Sequence, residues 1–174
     1  MVATLNDIKY YSQIYKLRFI TRYSNVERVR DEDVAQHSFF TAAIVMQLRE
    51  EYLFNLGQAL QMAVCHDMIE SFTGDMSHSL KVLYPAFSSA VDQIEYDASI
   101  KLPIHVAVAL EMFQGDSIEA KIVRLADAIQ VYQYTESEIR LGNSGEISEI
   151  NKKVKERIFQ LRGLCEYAKT RPFN

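Results

Sequence analysis

The chain has 174 residues, 48% of them hydrophobic and 24% charged, the proportions of one ordinary soluble globular domain, expected here to span 1–174. A chain of this length buries about 68–70% of its unfolded surface, so neither a disulfide nor a structural metal is needed to hold its core. With 19 basic against 23 acidic residues and a net charge of -4, it lacks the basic excess of a general binder of duplex nucleic acid.

Cys65 and Cys165 stand a hundred residues apart in helical-looking stretches, which implies free thiols in a reducing compartment. The N-terminal MVATLNDIKYYSQ contains no signal-peptide run, and no segment approaches the roughly 20 apolar residues that cross a bilayer. A cytoplasmic protein is expected, neither secreted nor inserted in a membrane.

Six glycines and three prolines, with β-branched residues at helical rather than alternating spacing, predict an all-α fold of about six to eight helices. The first helix is predicted over 5–21, where Leu5, Ile8, Tyr11, Ile14, Tyr15 and Leu17 recur at intervals that fit one face. The charged SNVERVRDEDVAQHS stretch reads as a loop as far as Asp33, whose carboxylate caps a helix over 34–54 with His37 in its first turn.

Gly57 opens a helix over 57–70, in which His66 and Asp67 interrupt the apolar run of Leu60, Ala63, Val64 and Cys65. SFTGDMSHS holds turn formers, and helices over 85–100 and 103–113 follow, the second begun by Pro103. Ile118, Ile122, Leu125, Ile129 and Tyr132, widened by Val123, Ala126 and Val131, mark 116–141 as a central helix, with Asp127 inside its apolar stretch. Gly142 and Asn143 stop it, and a final amphipathic helix runs over 146–168 on Ile147, Ile150, Val154, Ile158 and Leu161.

Three polar residues in apolar company, His66, Asp67 and Asp127, together with His37 at a helix start, make a ligand set of two nitrogens and two carboxylates. Such a mixed set suits one divalent ion among Co, Mn, Zn, Ni and Fe. A cation there polarises a phosphoryl oxygen and lowers the pKa of water toward about 7, which points to phosphoester hydrolysis. Glu70, four residues after His66, and Asp75 in Thr73-Gly74-Asp75 supply the carboxyls for proton transfer, in an order that spacing leaves open.

Taken together, Arg22-Tyr23, VRDEDVAQHS, HDMIESFTGD, Lys81, LADAIQVY and Gly142-Asn143 resemble the HD-domain metal phosphohydrolases, and within them the small 5′-deoxynucleotidases of the YfbR-like type. The resemblance covers most of the chain and implies a compact helical HD-domain fold around a metal site. It implies that His37, His66, Asp67 and Asp127 bind the metal and that Glu70 and Asp75 serve catalysis. Arg22 then meets the phosphate, and Thr73 and Lys81 support the phosphate or its loop.

Three positions depart from the family pattern: Gln36 where Glu is expected, Tyr23 where Trp is usual, and Met76-Ser77-His78-Ser79 where prolines are common. The aromatic at position 23 packs by the sugar in the family and favours deoxyribose. His78 and His105 lack matching context and stand outside the metal site. The implied reaction releases deoxynucleoside and phosphate from a deoxynucleotide; alternatives are a dATPase-like triphosphohydrolase that releases triphosphate, a silent nucleotide-binding adaptor, and a cyclic-nucleotide or alarmone hydrolase.

Plainer roles exist for each residue: an ion pair of Asp127 with Arg124 or Arg140, of Arg22 with Glu27 or Asp31, solvated carboxylates at Glu70 and Asp75, and an exposed Lys81. The methionines and tyrosines read as core and interface residues, in keeping with a homo-oligomer, a dimer or an assembly of dimers.

Overall fold

The computed structural model describes residues 11–76 and 78–169. Among them the regular structure is helical, with isolated bridges at Thr21–Asp33 and Tyr52–Lys169. In chain order the helices are α1 (11–15), α2 (Val34–Leu48), α3 (Leu56–Cys65), α4 (Glu70–Thr73), α5 (His78–Leu83), α6 (Pro85–Ser99), α7 (Ile104–Gln114), α8 (Ile118–Arg140) and α9 (Glu146–Cys165). A 3-10 turn, Lys16–Phe19, continues α1, and residues 5–10 of the first expected helix lie outside the described residues.

The ends are set by local chemistry. Asp33 accepts from the Gln36 N–H at 2.8 Å, Asn55 from Gln58 at 3.1 Å and Ser117 from Ala120 at 3.1 Å, so α2, α3 and α8 each begin on a side-chain cap. Pro85 starts α6, where its missing N–H costs nothing, and Pro103 sits one residue before α7. At the end of α8 the Gly142 N–H donates to Ile139 O at 3.0 Å and Asn143 N–H to Glu138 O at 3.1 Å. Gly142, at φ 96°, supplies the left-handed residue this closure needs.

Buried residues of α8, among them Ile122, Val123, Leu125 and Ala126, meet Val45 and Leu48 of α2, Ala59, Met62 and Ala63 of α3, and Val154, Leu161 and Cys165 of α9. α8 is therefore the central helix, as its broad apolar stripe predicts. A second cluster, Leu17, Val34, Cys65, Met68, Ile69, Ala98, Leu102, Val106 and Ala109, joins the start of α2 to the end of α3, α6 and α7.

Three predicted elements are corrected. α2 stops at Leu48, six residues short of the expected 54, because Tyr52 is fully buried and Leu53 N–H donates to Ala168 O at 2.7 Å, a long-range pairing that outweighs helix propensity. The expected helix over 57–70 divides: α3 ends at Cys65, and tight bonds from Met68 N to Cys65 O and from Glu70 N to Asp67 O turn the chain into α4. The helices α4 and α5 occupy a stretch whose composition reads as turn.

Candidate metal centre and active site

His66 follows the last residue of α3, where helix carbonyls lack partners, and its ring Nδ1 donates to Ala63 O at 2.8 Å. That bond leaves Nε2 facing inward. His37, fully buried in the first turn of α2, directs its Nε2 to a point 3.1 Å away from the His66 Nε2. Asp67 Oδ2 lies 3.4 Å from His37 Nε2 and 3.3 Å from His66 Nε2, and Asp127 Oδ1, from α8, lies 3.3 Å from His37 Nε2. The plain ion-pair alternative for Asp127 is not seen: Arg124 donates to Phe113 O and Gly115 O.

These separations fit a bound cation. Donors about 2.1 Å from one ion lie about 3.0 Å apart in an octahedron and about 3.4 Å apart in a tetrahedron. His37, His66 and Asp127 have donor atoms within 4.8 Å of one another.

The electrostatics agree. Burial works to lower the His66 imidazolium, but Asp67 and Asp127 outweigh it and raise its pKa to about 9. Burial works to raise the Asp67 carboxyl, yet His66, His37 and Arg22 hold it well below the ordinary carboxylate range. Asp127 is also lowered, burial being outweighed by His37 and His66.

Arg22 touches this cluster, and Glu70 lies within the electrostatic reach of Asp67. Arg22 Nη1 pairs with Asp67 Oδ2 at 3.2 Å and its Nε lies 3.6 Å from Glu32 Oε2, rather than reaching Glu27 or Asp31. Glu70 opens α4, and its Oε2 is buried without a hydrogen-bond partner among the described residues. Burial first, then Asp67 and Asp75, pushes the Glu70 carboxyl up to about 9.

Asp75 accepts from the Tyr23 backbone N–H at 3.2 Å, tying the TGD turn to the Arg22–Tyr23 corner. Tyr23 adopts φ 56°, a left-handed conformation that a bulky side chain rarely takes. Its ring stacks on Tyr134 with centroids 5.1 Å apart, and Arg28 donates to its carbonyl at 2.9 Å. Thr73 Oγ1 donates to Gly74 O at 3.1 Å, and half-buried Lys81 pairs with Glu95 at 2.9 Å, so neither is an open, uncommitted group.

Sequence reasoning missed Gln130 and Glu32. Gln130 Oε1 lies 2.6 Å from His37 Nδ1, and Gln130 Nε2 donates to Glu32 Oε1 at 2.5 Å. The available signal was spacing: Gln130 is one helical turn after Asp127 and shares its face. An open groove of about 790 Å³ lined by Ile14, Tyr15, Arg18, Phe39 and Phe40, among others, shares no residue with the cluster.

The helical fold thus brings His37, His66 and Asp127 together, with Asp67 against both imidazoles and the Glu70 carboxyl, one oxygen of it buried, on the next helix. The fold matches that of an HD-domain phosphohydrolase of Listeria innocua at TM-score 0.74 and 18% identity, covering 91% of this chain and 82% of that one. It also matches a cyanophage S-2L HD phosphohydrolase, solved with dA and one catalytic Zn2+ ion, at TM-score 0.67 and 14% identity over 96% and 94% of the two chains.

The chain belongs to the 5′-deoxynucleotidase YfbR-like family, whose model matches residues 9–168. It is 27% identical to a 5′-deoxynucleotidase of Pasteurella multocida over 148 residues, 77% of this chain and 76% of that one. A dATP triphosphohydrolase of Salmonella phage PMBT28 is 32% identical over 95 residues, 49% of this chain and 48% of that one. The chain is therefore an enzyme rather than a silent adaptor.

Proposed function

We propose that the enzyme hydrolyses 2′-deoxynucleoside 5′-monophosphates to deoxynucleoside and phosphate, with His37, His66, Asp67 and Asp127 holding one divalent transition metal. The gathering of His66, Asp67 and Asp127 donor atoms 3.1–3.4 Å from the His37 Nε2 carries this reading, and the 5′-deoxynucleotidase relatives supply the substrate class. When bound, the ion supplies Lewis acidity, withdrawing charge from a phosphoryl oxygen and lowering the pKa of water.

The chain's own groups do the rest. Arg22, anchored on Asp67 at 3.2 Å, places a planar guanidinium with five N–H donors beside the cluster, suited to a phosphate dianion. In the reaction a water oxygen forms a bond to phosphorus and the P–O5′ bond breaks, so one proton leaves water and one must reach O5′. Glu70, whose carboxyl burial pushes up to about 9, is the donor suited to the departing O5′, and the proton that leaves the water restores it for the next turnover. Asp75 holds the Tyr23 corner on which the sugar packs.

The phage relative favours a second reading in which the same ester bond is cut in dATP and triphosphate departs. A panel of dAMP, dATP, AMP and ATP, run with Co2+, Mn2+ and Zn2+ and with products identified, separates the two. Phosphate and deoxyadenosine from dAMP support the monophosphate reading; triphosphate from dATP with dAMP untouched replaces it.

A further inference from the structure

We propose that Gln130 and Glu32 are positioning residues, a polar relay that fixes the His37 imidazole as its Nδ1–H tautomer and so presents Nε2 as a metal donor. The inference rests on the metal-site reading above and deepens it.

All three side chains are withdrawn from solvent, with exposures of 0% for His37, 4% for Gln130 and 6% for Glu32. Each link therefore has to be satisfied within the protein. Burial raises the Glu32 carboxyl; at the alkaline pH of the test below it is ionised and only accepts, so the Gln130 amide must turn its Nε2 to Glu32 Oε1, 2.5 Å away. The opposite orientation sets two oxygen acceptors against each other. With Nε2 committed, Gln130 Oε1 faces His37 Nδ1 at 2.6 Å, and that nitrogen has to carry the hydrogen. The lone pair is then left on Nε2, which faces His66, Asp67 and Asp127.

The relay also joins two ligands. Glu32 Oε2 lies 3.6 Å from Arg22 Nε, and Arg22 Nη1 lies 3.2 Å from Asp67 Oδ2. Its parts are seated by the elements that seat the ligands: Gln130 is one turn along α8 from Asp127, and Glu32 immediately precedes the Asp33 cap of α2. Partners that orient a ligand's second nitrogen typically account for about 10- to 100-fold in metal affinity.

The test uses full-length protein stripped of metal, 15N NMR of the His37 ring at alkaline pH, and Mn2+ titration by calorimetry. The parent protein is expected to show His37 with hydrogen on Nδ1. Gln130→Leu is expected to shift the ring toward the Nε2–H form and to weaken Mn2+ binding by about 10- to 100-fold. Gln130→Glu alone sets two carboxylates together and is expected to weaken binding as well. Combining it with Glu32→Gln restores an acceptor facing His37 and a donor on the other partner, and is expected to recover the Nδ1–H tautomer and much of the affinity.

An Nε2–H tautomer in the parent, or parent-like Mn2+ affinity in folded Gln130→Leu, overturns the relay. If Gln130→Leu fails to fold, the parent spectrum and the paired exchange decide the matter. A parent that shows the Nδ1–H tautomer but binds no divalent ion overturns the metal-site reading and leaves the orientation of His37 standing.

Discussion

Glu70 is a carboxyl placed where its charged form is disfavoured, and that has two measurable consequences. Its folded pKa of about 9 lies above the ordinary 4.5. In metal-free protein between those values the unfolded chain has lost a proton that the folded chain keeps, so stability falls as pH rises through this window. Glu70→Gln removes that loss: its chelated form should melt higher than the parent at pH 8 and no higher at pH 4, read by calorimetry. The same variant should retain metal yet turn over at least about 100-fold more slowly, the usual scale of general acid assistance; near-parent kcat would move the proton donor elsewhere. Tyr23 gives a second test. A ribonucleotide's 2′-hydroxyl against an aromatic ring loses water without a partner, at about 1–3 kcal/mol, so dAMP should exceed AMP by about ten- to a hundredfold in kcat/KM, and Tyr23→Ala should narrow the ratio with metal content unchanged. Equal values in the parent would refute the sugar-reading role. His37, His66, Asp67 and Asp127 were legible because polar residues stood out from apolar neighbours or opened a helix. Gln130 and Glu32 were not, since a neutral amide and one more acid in a charged loop look like surface residues until the fold buries them.

At the scale of the element, α8 works as a ruler. Asp127, Gln130, Tyr134 and Glu138 follow at intervals of three and four residues, and hence on one face. In order they meet His37, again His37, the Tyr23 ring together with Arg30 O at 2.8 Å, and the Val29 and Arg30 N–H groups at 2.6 and 2.9 Å. The loop that carries Arg22 and Tyr23 is thereby registered against the helix that carries Asp127. Asn143 completes the hold, donating to Glu27 O at 2.9 Å and to Glu138 Oε2 at 3.0 Å, which gives the Gly142-Asn143 helix stop a second purpose. Glu138→Ala leaves the two loop N–H groups without their acceptor and should cost about 1–3 kcal/mol in urea unfolding. It should also raise KM for dAMP, because the Arg22–Tyr23 corner loses its anchor. A stability loss below about 0.5 kcal/mol, the range of an ordinary surface change, would deny the anchoring role. The sequence conveyed α8 well because its caps and apolar stripe are local signals. It misjudged the ends of α2 and α3 because these accompany distant contacts, Ala168 for Leu53 and His37 for the turn at His66 and Asp67.

Across the whole molecule, the proposed ligands come from the start of α2, the turn after α3 and the middle of α8, so a bound ion cross-links elements that otherwise meet through apolar packing and the His37–Gln130 hydrogen bond. The principal core among α2, α3, α8 and α9 contains none of those ligands. Metal removal should therefore loosen the assembly without unfolding it, unlike small domains that have no other core. An ion present at about 100 times its dissociation constant adds about 2.7 kcal/mol to the folded state. In a chain of this size each kcal/mol moves Tm by about 2–4 °C, so chelation should lower Tm by several degrees while the far-ultraviolet helical signal at room temperature persists, and Mn2+ or Co2+ should restore the loss. His66→Ala and Asp67→Ala each remove a donor and a buried partner of the remaining ones. Both should lose stoichiometric metal, activity and the metal-dependent rise in Tm together. Retention of that rise in either variant would exclude the residue from the ligand set, and a parent whose Tm ignores both chelator and metal would remove the cross-link altogether.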